Sequence, residues 1–137
     1  MPDFLGRVAC AALVAEIKVM WDDDTLQAAG VGRGTERQVQ TDIRSDSIHW
    51  MDEPSSTGPQ RIAWERLEVL RVALNRRLFL GLTDLEAHLS AYSPGGAYRK
   101  HVDTFRDSNR RFVSCVVYLN PDWHTEHGGE LRLYERA

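Results

Sequence analysis

Hydrophobic residues recur at helical spacing in two separate stretches of the chain. The first stripe recurs at spacings of three and four residues and consists of Leu5, Val8, Ala12, Leu13, Ile17 and Met20. The second follows a linker at residues 53–59, occupies about residues 60–77, and contains Ile62, Leu67, Leu70, Leu74 and Leu78. Such spacing is typical of helices with one buried face. The pattern therefore predicts two amphipathic helices.

Alternating patterns predict strands in the remaining stretches. Residues 84–92 place Leu85, Ala87, Leu89 and Ala91 on one face, and Glu86, His88, Ser90 and Tyr92 on the other. Residues 112–119 alternate again, with Ser114, Val116 and Tyr118 on one face, and residues 130–134 form a further short strand. Residues 38–52 are predicted to contain two strands, and Asp24 to cap a short turn at 25–29. Helices before a run of strands predict an α+β fold with the helices on the outer face of a sheet.

Composition narrows the class of protein. A chain of 137 residues predicts one domain, residues 1–137, and 42% hydrophobic with 27% charged residues is typical of a globular protein. The net charge of −3 gives no polybasic signature, so we expect no nucleic-acid partner. No apolar run reaches membrane-spanning length, so we expect no membrane partner. Cys10 and Cys115 fit buried thiols of a reducing compartment, and we expect a cytoplasmic protein.

The candidate chemistry centres on His101-Val102-Asp103. Side chains two apart on a strand point to the same face, so the pair can offer an imidazole nitrogen and a carboxylate oxygen to one point. These are two of the three ligands that hold non-haem Fe(II) in a facial triad. By itself, a His-x-Asp pair also fits a surface histidine beside a solvated aspartate.

Three further histidines are weaker candidates for metal binding. His88 shares the predicted face of Tyr92, but a single histidine on a strand is more often a hydrogen-bonded structural residue. His124 and His127 fall in the loop between two predicted strands, where a solvated role is the simpler interpretation. Whether one of the three supplies another metal ligand stays open.

The residues around His101 form a longer motif. Tyr92-Ser93-Pro94-Gly95-Gly96-Ala97-Tyr98 leads to the His-x-Asp pair, and Tyr118-Leu119-Asn120-Pro121-Asp122-Trp123 precedes Gly128-Gly129-Glu130-Leu131-Arg132. This combination resembles the Fe(II)- and 2-oxoglutarate-dependent oxygenases of the prolyl hydroxylase branch, close to the animal oxygen-sensing enzymes and their bacterial relatives. A weaker likeness extends upstream through residues 28–34 and 42–50.

The resemblance implies a fold and a reaction. The fold would be a double-stranded β-helix, or jelly roll, with supporting helices. The reaction would be hydroxylation of a prolyl residue in a protein or peptide, with Fe(II), molecular oxygen, 2-oxoglutarate as cosubstrate and ascorbate as reductant. The identity of the substrate and the oligomeric state stay open.

The resemblance also assigns residues. His101 and Asp103 would bind the metal, and the Tyr118 hydroxyl would bond the side-chain carboxylate of 2-oxoglutarate. Three further residues would line or support the same cavity: Leu131, Tyr98 and Tyr92. A loop beside the active-site mouth would contact the substrate through Arg33, Arg37 and Trp50, although ordinary sheet packing is the simpler interpretation of Trp50.

The sequence departs from the family pattern after residues 130–134. The family has a second histidine as third iron ligand and, further along, a basic residue that pairs with the far carboxylate of 2-oxoglutarate. No match to either precedes Ala137, so we expect a domain that lacks its final strands and turns over little as given. The competing hypothesis is a non-enzymatic binding module or an inactive fragment.

Overall fold

The computed structural model describes residues 3–30, 38–103 and 111–135. In chain order the elements are α1 (Arg7–Asp22), β1 (Gln27–Ala28), β2 (Asp46–Met51), α2 (Gly58–Leu78) and β3 (Ala87–Tyr92). Single 3-10 turns lie at Glu53–Ser55 and Thr125–His127. Neither described helix combines the length and hydropathy needed to cross a bilayer.

Hydrogen bonds or a change of backbone conformation define the described ends of the two helices. The hydroxyl of Thr57 accepts a hydrogen bond from the amide of Gln60 at 3.4 Å, which caps the N-terminus of α2. The helix ends at Phe79, which adopts a left-handed conformation with φ 53°. At the end of α1, the amide and the hydroxyl of Thr25 donate to the carbonyl of Met20 at 2.9 and 3.1 Å.

The strands form one antiparallel sheet in the order β1-β2-β3. In the register between β2 and β3, Asp46 pairs with Tyr92, Ile48 with Ser90, and Trp50 with His88. Since directly opposed residues share a face, these side chains lie on one side of the sheet. Met51 and Leu89 belong to the opposite side.

The helices cover that opposite side, as the sequence predicted. One buried cluster joins the α1 region to α2 and the sheet, through Leu5, Ala9, Leu13, Ala63, Met51 and Leu89. Val117 and Leu119 pack against the same cluster. The face that carries Asp46, Ser90 and His88 is not part of this cluster.

The buried positions of the two helices differ from the predicted stripes. Val8 is 86% exposed whereas Ala9 is buried, and on α2 Ile62 is exposed whereas Ala63 is buried. Small side chains at Ala9 and Ala63 contribute to the shared core beside Leu5 and Leu13, which are buried as predicted. Leu78 also lies outside the core.

Several predicted strands are wrong in their extent. Residues 112–119 and 130–134 form no ladder with another described residue. A strand needs a neighbour that pairs with its backbone groups, and an alternating sequence does not by itself provide one. Residues 38–52 contain one strand, preceded by a turn at 41–43. The predicted turn at 25–29 contains the short strand β1, which pairs with Ile48 and Ser47. The described residues therefore form a two-layer α+β unit with a three-stranded sheet.

Candidate functional site

A tight turn after β3 brings the predicted metal-binding motif beside β2. Gly95 has φ +79°, and the amide of Gly96 donates to the carbonyl of Ser93 at 2.8 Å. A side chain at Gly96 would meet that carbonyl oxygen at 2.9 Å, so the turn requires glycine there. The chain then returns to the sheet, where Tyr98 forms an antiparallel bridge with Arg44.

Two residues later, the structure brings His101 and Asp103 together. Nε2 of His101 lies 3.0 Å from Oδ1 of Asp103, and both side chains are partly exposed. Nδ1 of His101 lies 2.7 Å from the carbonyl oxygen of Arg99. The other carboxylate oxygen, Oδ2, accepts a hydrogen bond from the hydroxyl of Ser114.

This geometry fits two ligands of one metal ion. A carbonyl oxygen only accepts, so the Arg99 contact holds the proton on Nδ1. Nε2 is then the ring nitrogen directed at Asp103, to which it donates a proton in the metal-free chain. A metal ion would replace that proton, and a histidine that binds a metal through one nitrogen usually donates from the other. Nitrogen and oxygen ligands at about 2.0–2.2 Å from a metal and at right angles to one another are about 3 Å apart. The observed separation of 3.0 Å matches that spacing.

A buried ion pair lies on the adjacent face of the sheet. Arg44 donates to both carboxylate oxygens of Asp46, at 2.7 and 2.9 Å, and Ser90 donates to Oδ2 at 2.6 Å. Burial acts to raise the pKa of Asp46, but the hydrogen bonds from Arg44 and Ser90 and the charge of Arg44 outweigh it and lower that pKa. The same pairing raises the pKa of Arg44. Asp46 is thus a fixed anion.

His88 extends this cluster toward Trp50. Its Nε2 lies 3.4 Å from Nη2 of Arg44, and its ring centroid lies 4.9 Å from that of Trp50. Although the residue as a whole is exposed, burial of the ring lowers the pKa of His88, and the charge of Arg44 lowers it further. Because Arg44 can only donate, Nε2 of His88 is the acceptor. The imidazole is therefore a neutral structural group in this arrangement.

The remaining predicted site residues lie at different distances from this centre. Tyr98 stacks on His101 with ring centroids 3.5 Å apart. Tyr92 is opposite Asp46 in the sheet, and burial raises the pKa of its hydroxyl. Tyr118 donates to the carbonyl of Gly129 at 3.0 Å, and Leu131 is exposed.

The other candidates are surface or undescribed residues. His124 and His127 are exposed, and their rings contact each other edge to face at 5.4 Å. Arg33 and Arg37 lie outside the described residues. Among the described residues, no three His, Cys, Asp or Glu side chains come together as a metal-binding group.

Sequence reasoning missed the supporting residues. The sequence pattern places Arg44 and Asp46 between two predicted strands, and Ser90 and Ser114 on strand faces, without a role for any of them. The i, i+2 spacing of Arg44 and Asp46 could have indicated a same-face ion pair. Nothing local in the sequence indicates that Ser114 reaches Asp103, because that contact joins segments 11 residues apart.

Comparison with protein families gives one match to this part of the chain. Residues 87–137 match the model of the 2OG-Fe(II) oxygenase superfamily. The match includes β3, the glycine turn and the His101–Asp103 pair. It is carried by the same motif that sequence analysis singled out.

Individual relatives extend over most of the chain. It is 27% identical over 143 residues to prolyl hydroxylase EGLN3 of Homo sapiens, covering 98% of this chain and 58% of the relative. It is 26% identical over 144 residues to Egl nine homolog 1 of Rattus norvegicus, covering 96% and 40%. A crystal structure of a Pseudomonas putida prolyl-4-hydroxylase aligns with TM-score 0.67 and 36% identity over 76% of this chain and 53% of that one. The chain thus spans about half the length of these proteins.

Proposed function

We propose that this chain, which belongs to the 2OG-Fe(II) oxygenase superfamily, hydroxylates a prolyl residue of a peptide or protein substrate. The similarity to prolyl hydroxylases supports this reaction class. The family implies Fe(II) and 2-oxoglutarate, with molecular oxygen as the other co-substrate. We include ascorbate as the reductant that maintains the ferrous state. The observation that carries the proposal is the 3.0 Å approach of His101 Nε2 to Asp103 Oδ1.

His101 and Asp103 would hold the metal. When bound, Fe(II) and 2-oxoglutarate supply the oxidising chemistry, and the protein supplies orientation. The carbonyl of Arg99 fixes the tautomer of His101 by accepting from Nδ1. Ser114 occupies Oδ2 of Asp103, which leaves Oδ1 facing the histidine. Such supporting contacts raise ligand basicity and fix ligand direction.

Tyr118 and Leu131 would belong to the 2-oxoglutarate pocket. The Tyr118 hydroxyl now donates to a neutral carbonyl, that of Gly129. A carboxylate would take the place of this acceptor with a stronger, charge-assisted bond. Leu131 would provide an apolar wall, while Tyr98 and Tyr92 would flank the metal side of the cavity.

A proline-containing segment would bind beside Trp50. This indole is 41% exposed and lies against the His88 ring at the far end of the same sheet face. An exposed aromatic surface suits a prolyl ring, which packs without needing a hydrogen-bond partner. Trp50 is therefore the described residue that we propose for substrate contact.

Metal binding tests the proposal directly. Mn(II), an inert substitute for Fe(II), is titrated into the purified chain, and its affinity is measured by the loss of the free-ion EPR signal. Weak but saturable binding is expected, which His101→Ala and Asp103→Ala each abolish. Asp22→Ala, a carboxylate removed from the exposed end of α1, is the matched control and should bind as wild type. Unchanged affinity in Asp103→Ala would refute the assignment.

A reaction assay tests the substrate class. The protein is incubated with Fe(II), 2-oxoglutarate, ascorbate and a proline-containing peptide, and succinate and hydroxyproline are measured together. Turnover should be low, as expected from the sequence, with the two products in equal amounts and both absent in His101→Ala. Metal binding with succinate but without hydroxyproline would exclude the prolyl substrate and keep the oxygenase class. Metal binding without either product would favour a binding module.

A further inference from the structure

Arg44 lies between the buried Asp46 carboxylate and the aromatic ring that stacks on His101. We propose that Arg44 is a positioning residue that holds His101 in its metal-binding orientation through Tyr98. This inference rests on the proposed function, because it gives Arg44 a role only if His101 binds a metal. The effect of Arg44 on the orientation of the His101 ring can nevertheless be tested without any metal.

The side-chain route begins at a fully buried carboxylate. The Asp46 side chain has 0% exposure and receives two hydrogen bonds from Arg44 and one from Ser90. Arg44 is thereby fixed in direction, with its guanidinium carbon 4.8 Å from the centroid of the Tyr98 ring. That ring lies nearly parallel to His101, with 13° between planes and 3.5 Å between centroids.

A backbone route reaches the same histidine from the same segment. The amide of Arg99 donates to the carbonyl of Ile43 at 2.9 Å, and the amide of Ser45 donates to the carbonyl of Ala97 at 3.2 Å. These bonds fix the backbone of residues 97–99 against residues 43–45. The carbonyl of Arg99 is in turn the acceptor for Nδ1 of His101. The segment that contains Arg44 thus fixes both the tautomer and the ring plane of the proposed ligand.

The chemistry of this position calls for arginine. A planar guanidinium can bind a carboxylate with two hydrogen bonds and still present its face to an aromatic ring. Lysine would keep the positive charge beside Asp46 but would lose the two-pronged contact and the flat face. Arg44→Lys therefore separates the positioning role from simple charge pairing.

The first experiment uses proton NMR to measure the stacking of Tyr98 on His101 in the metal-free protein. The Tyr98 ring current shifts the Hδ2 and Hε1 proton resonances of His101, which are assigned by their loss in His101→Gln. Tyr98→Leu gives the unstacked reference. In Arg44→Lys, both resonances should move at least half of the way to that reference. Arg71→Lys is the matched control, because Arg71 also donates to a carboxylate, that of Glu68, but on α2. It should leave His101 unshifted.

The second experiment measures Mn(II) affinity in the same proteins. Removing a residue that orients a metal ligand typically weakens affinity by 10–100-fold, and we expect about tenfold for Arg44→Lys. Arg71→Lys should match wild type. If Arg44→Lys does not fold by circular dichroism, Arg44→Met with Asp46→Leu removes both charges, and replacing a buried pair in this way is often tolerated. The same shifts are expected in that protein.

The outcomes separate the two proposals. Unchanged His101 resonances in a folded Arg44 variant would overturn the positioning role, whatever the metal does. Shifted resonances with unchanged Mn(II) affinity would overturn it as well, because the ring would move without consequence for binding. If wild type binds no Mn(II), the proposed function fails, and the role of Arg44 toward a ligand fails with it. Shifted resonances with weakened binding support both.

Discussion

Asp103 divides its two carboxylate oxygens between different partners. Oδ1 faces Nε2 of His101, while Oδ2 accepts from the Ser114 hydroxyl. Ser114 thus keeps one oxygen occupied, and the carboxylate would bind a metal through the other. Because Ser114 and Tyr118 belong to the same predicted face, the segment that supports the metal ligand would also present the cosubstrate hydroxyl.

Loss of the Tyr118 hydroxyl should weaken cosubstrate binding. A hydrogen bond to a charged group contributes about 1.5–3 kcal/mol, so Tyr118→Phe should raise the dissociation constant for 2-oxoglutarate by roughly tenfold or more. The measurement is a calorimetric titration of 2-oxoglutarate into Mn(II)-loaded protein. Tyr134→Phe is the control, because that exposed ring contacts Lys100 instead. Equal dissociation constants for Tyr118→Phe and wild type would exclude the hydroxyl as a ligand.

His88 should make stability depend on pH below neutrality. Burial of its ring and the charge of Arg44 lower its folded-state pKa beneath the ordinary value of 6.5. The unfolded chain therefore binds more protons between the lowered pKa and 6.5, and the free energy of unfolding falls as pH falls through that window. Urea unfolding measured from pH 7.5 to 5 should show a smaller decrease in the free energy of unfolding for His88→Gln than for wild type. Identical pH profiles would contradict the shifted pKa.

At the level of elements, the sequence predicted the helices and strands that depend on a local pattern of hydrophobic residues. Both helices, the strand at Ala87–Tyr92 with its alternating faces, and the helix-covered sheet are confirmed. The buried residues of the helices were less predictable, because packing between α1 and α2 selected Ala9 and Ala63 over larger neighbours. Within residues 112–119, Val117 and Leu119 pack on the core, whereas Val113 and Cys115 of the same predicted face are exposed, and the segment forms no ladder with another described residue. Alternation reports which side is buried, whereas a strand also depends on a partner elsewhere in the chain.

Two leucines test the difference between the predicted and the observed burial, since the sequence places both in a core stripe. Leu13 is 1% exposed, whereas Leu78 is 58% exposed. Truncating a buried leucine costs about 2–5 kcal/mol, so Leu13→Ala should strongly lower the free energy of unfolding. Leu78→Ala should stay within about 0.5 kcal/mol of wild type, as is usual for surface changes. Urea denaturation measures both, and equal losses would contradict the observed burial.

Across the whole molecule, hydrogen bonding is unevenly distributed. Backbone hydrogen bonds run within the two helices and between the paired strands of the sheet, and the buried cluster joins these elements. Residues 111–120 pack on that cluster through Val117 and Leu119 but pair in no ladder with another described residue. Local stability follows such differences, since exposed backbone groups open at lower free-energy cost. The proposed metal site links the helices and sheet to residues 111–120. Asp103 follows the motif that is hydrogen-bonded to the sheet, and Ser114 lies within residues 111–120.

Metal binding should therefore stabilise the segment that contains Ser114. A ligand that binds the ordered state lowers the population of open states in proportion to its occupancy. Hydrogen–deuterium exchange read by mass spectrometry should show slow exchange in α1, α2 and β2, and faster exchange in peptides covering residues 111–120. Saturating Mn(II) should slow exchange in the latter peptides and in those covering residues 98–103, and leave the helices unchanged. Ser114→Ala should keep the effect at 98–103 and reduce it at 111–120, since the hydroxyl is the described side-chain link to Asp103. Equal protection of 111–120 in both proteins would show that the metal site and this segment are energetically independent.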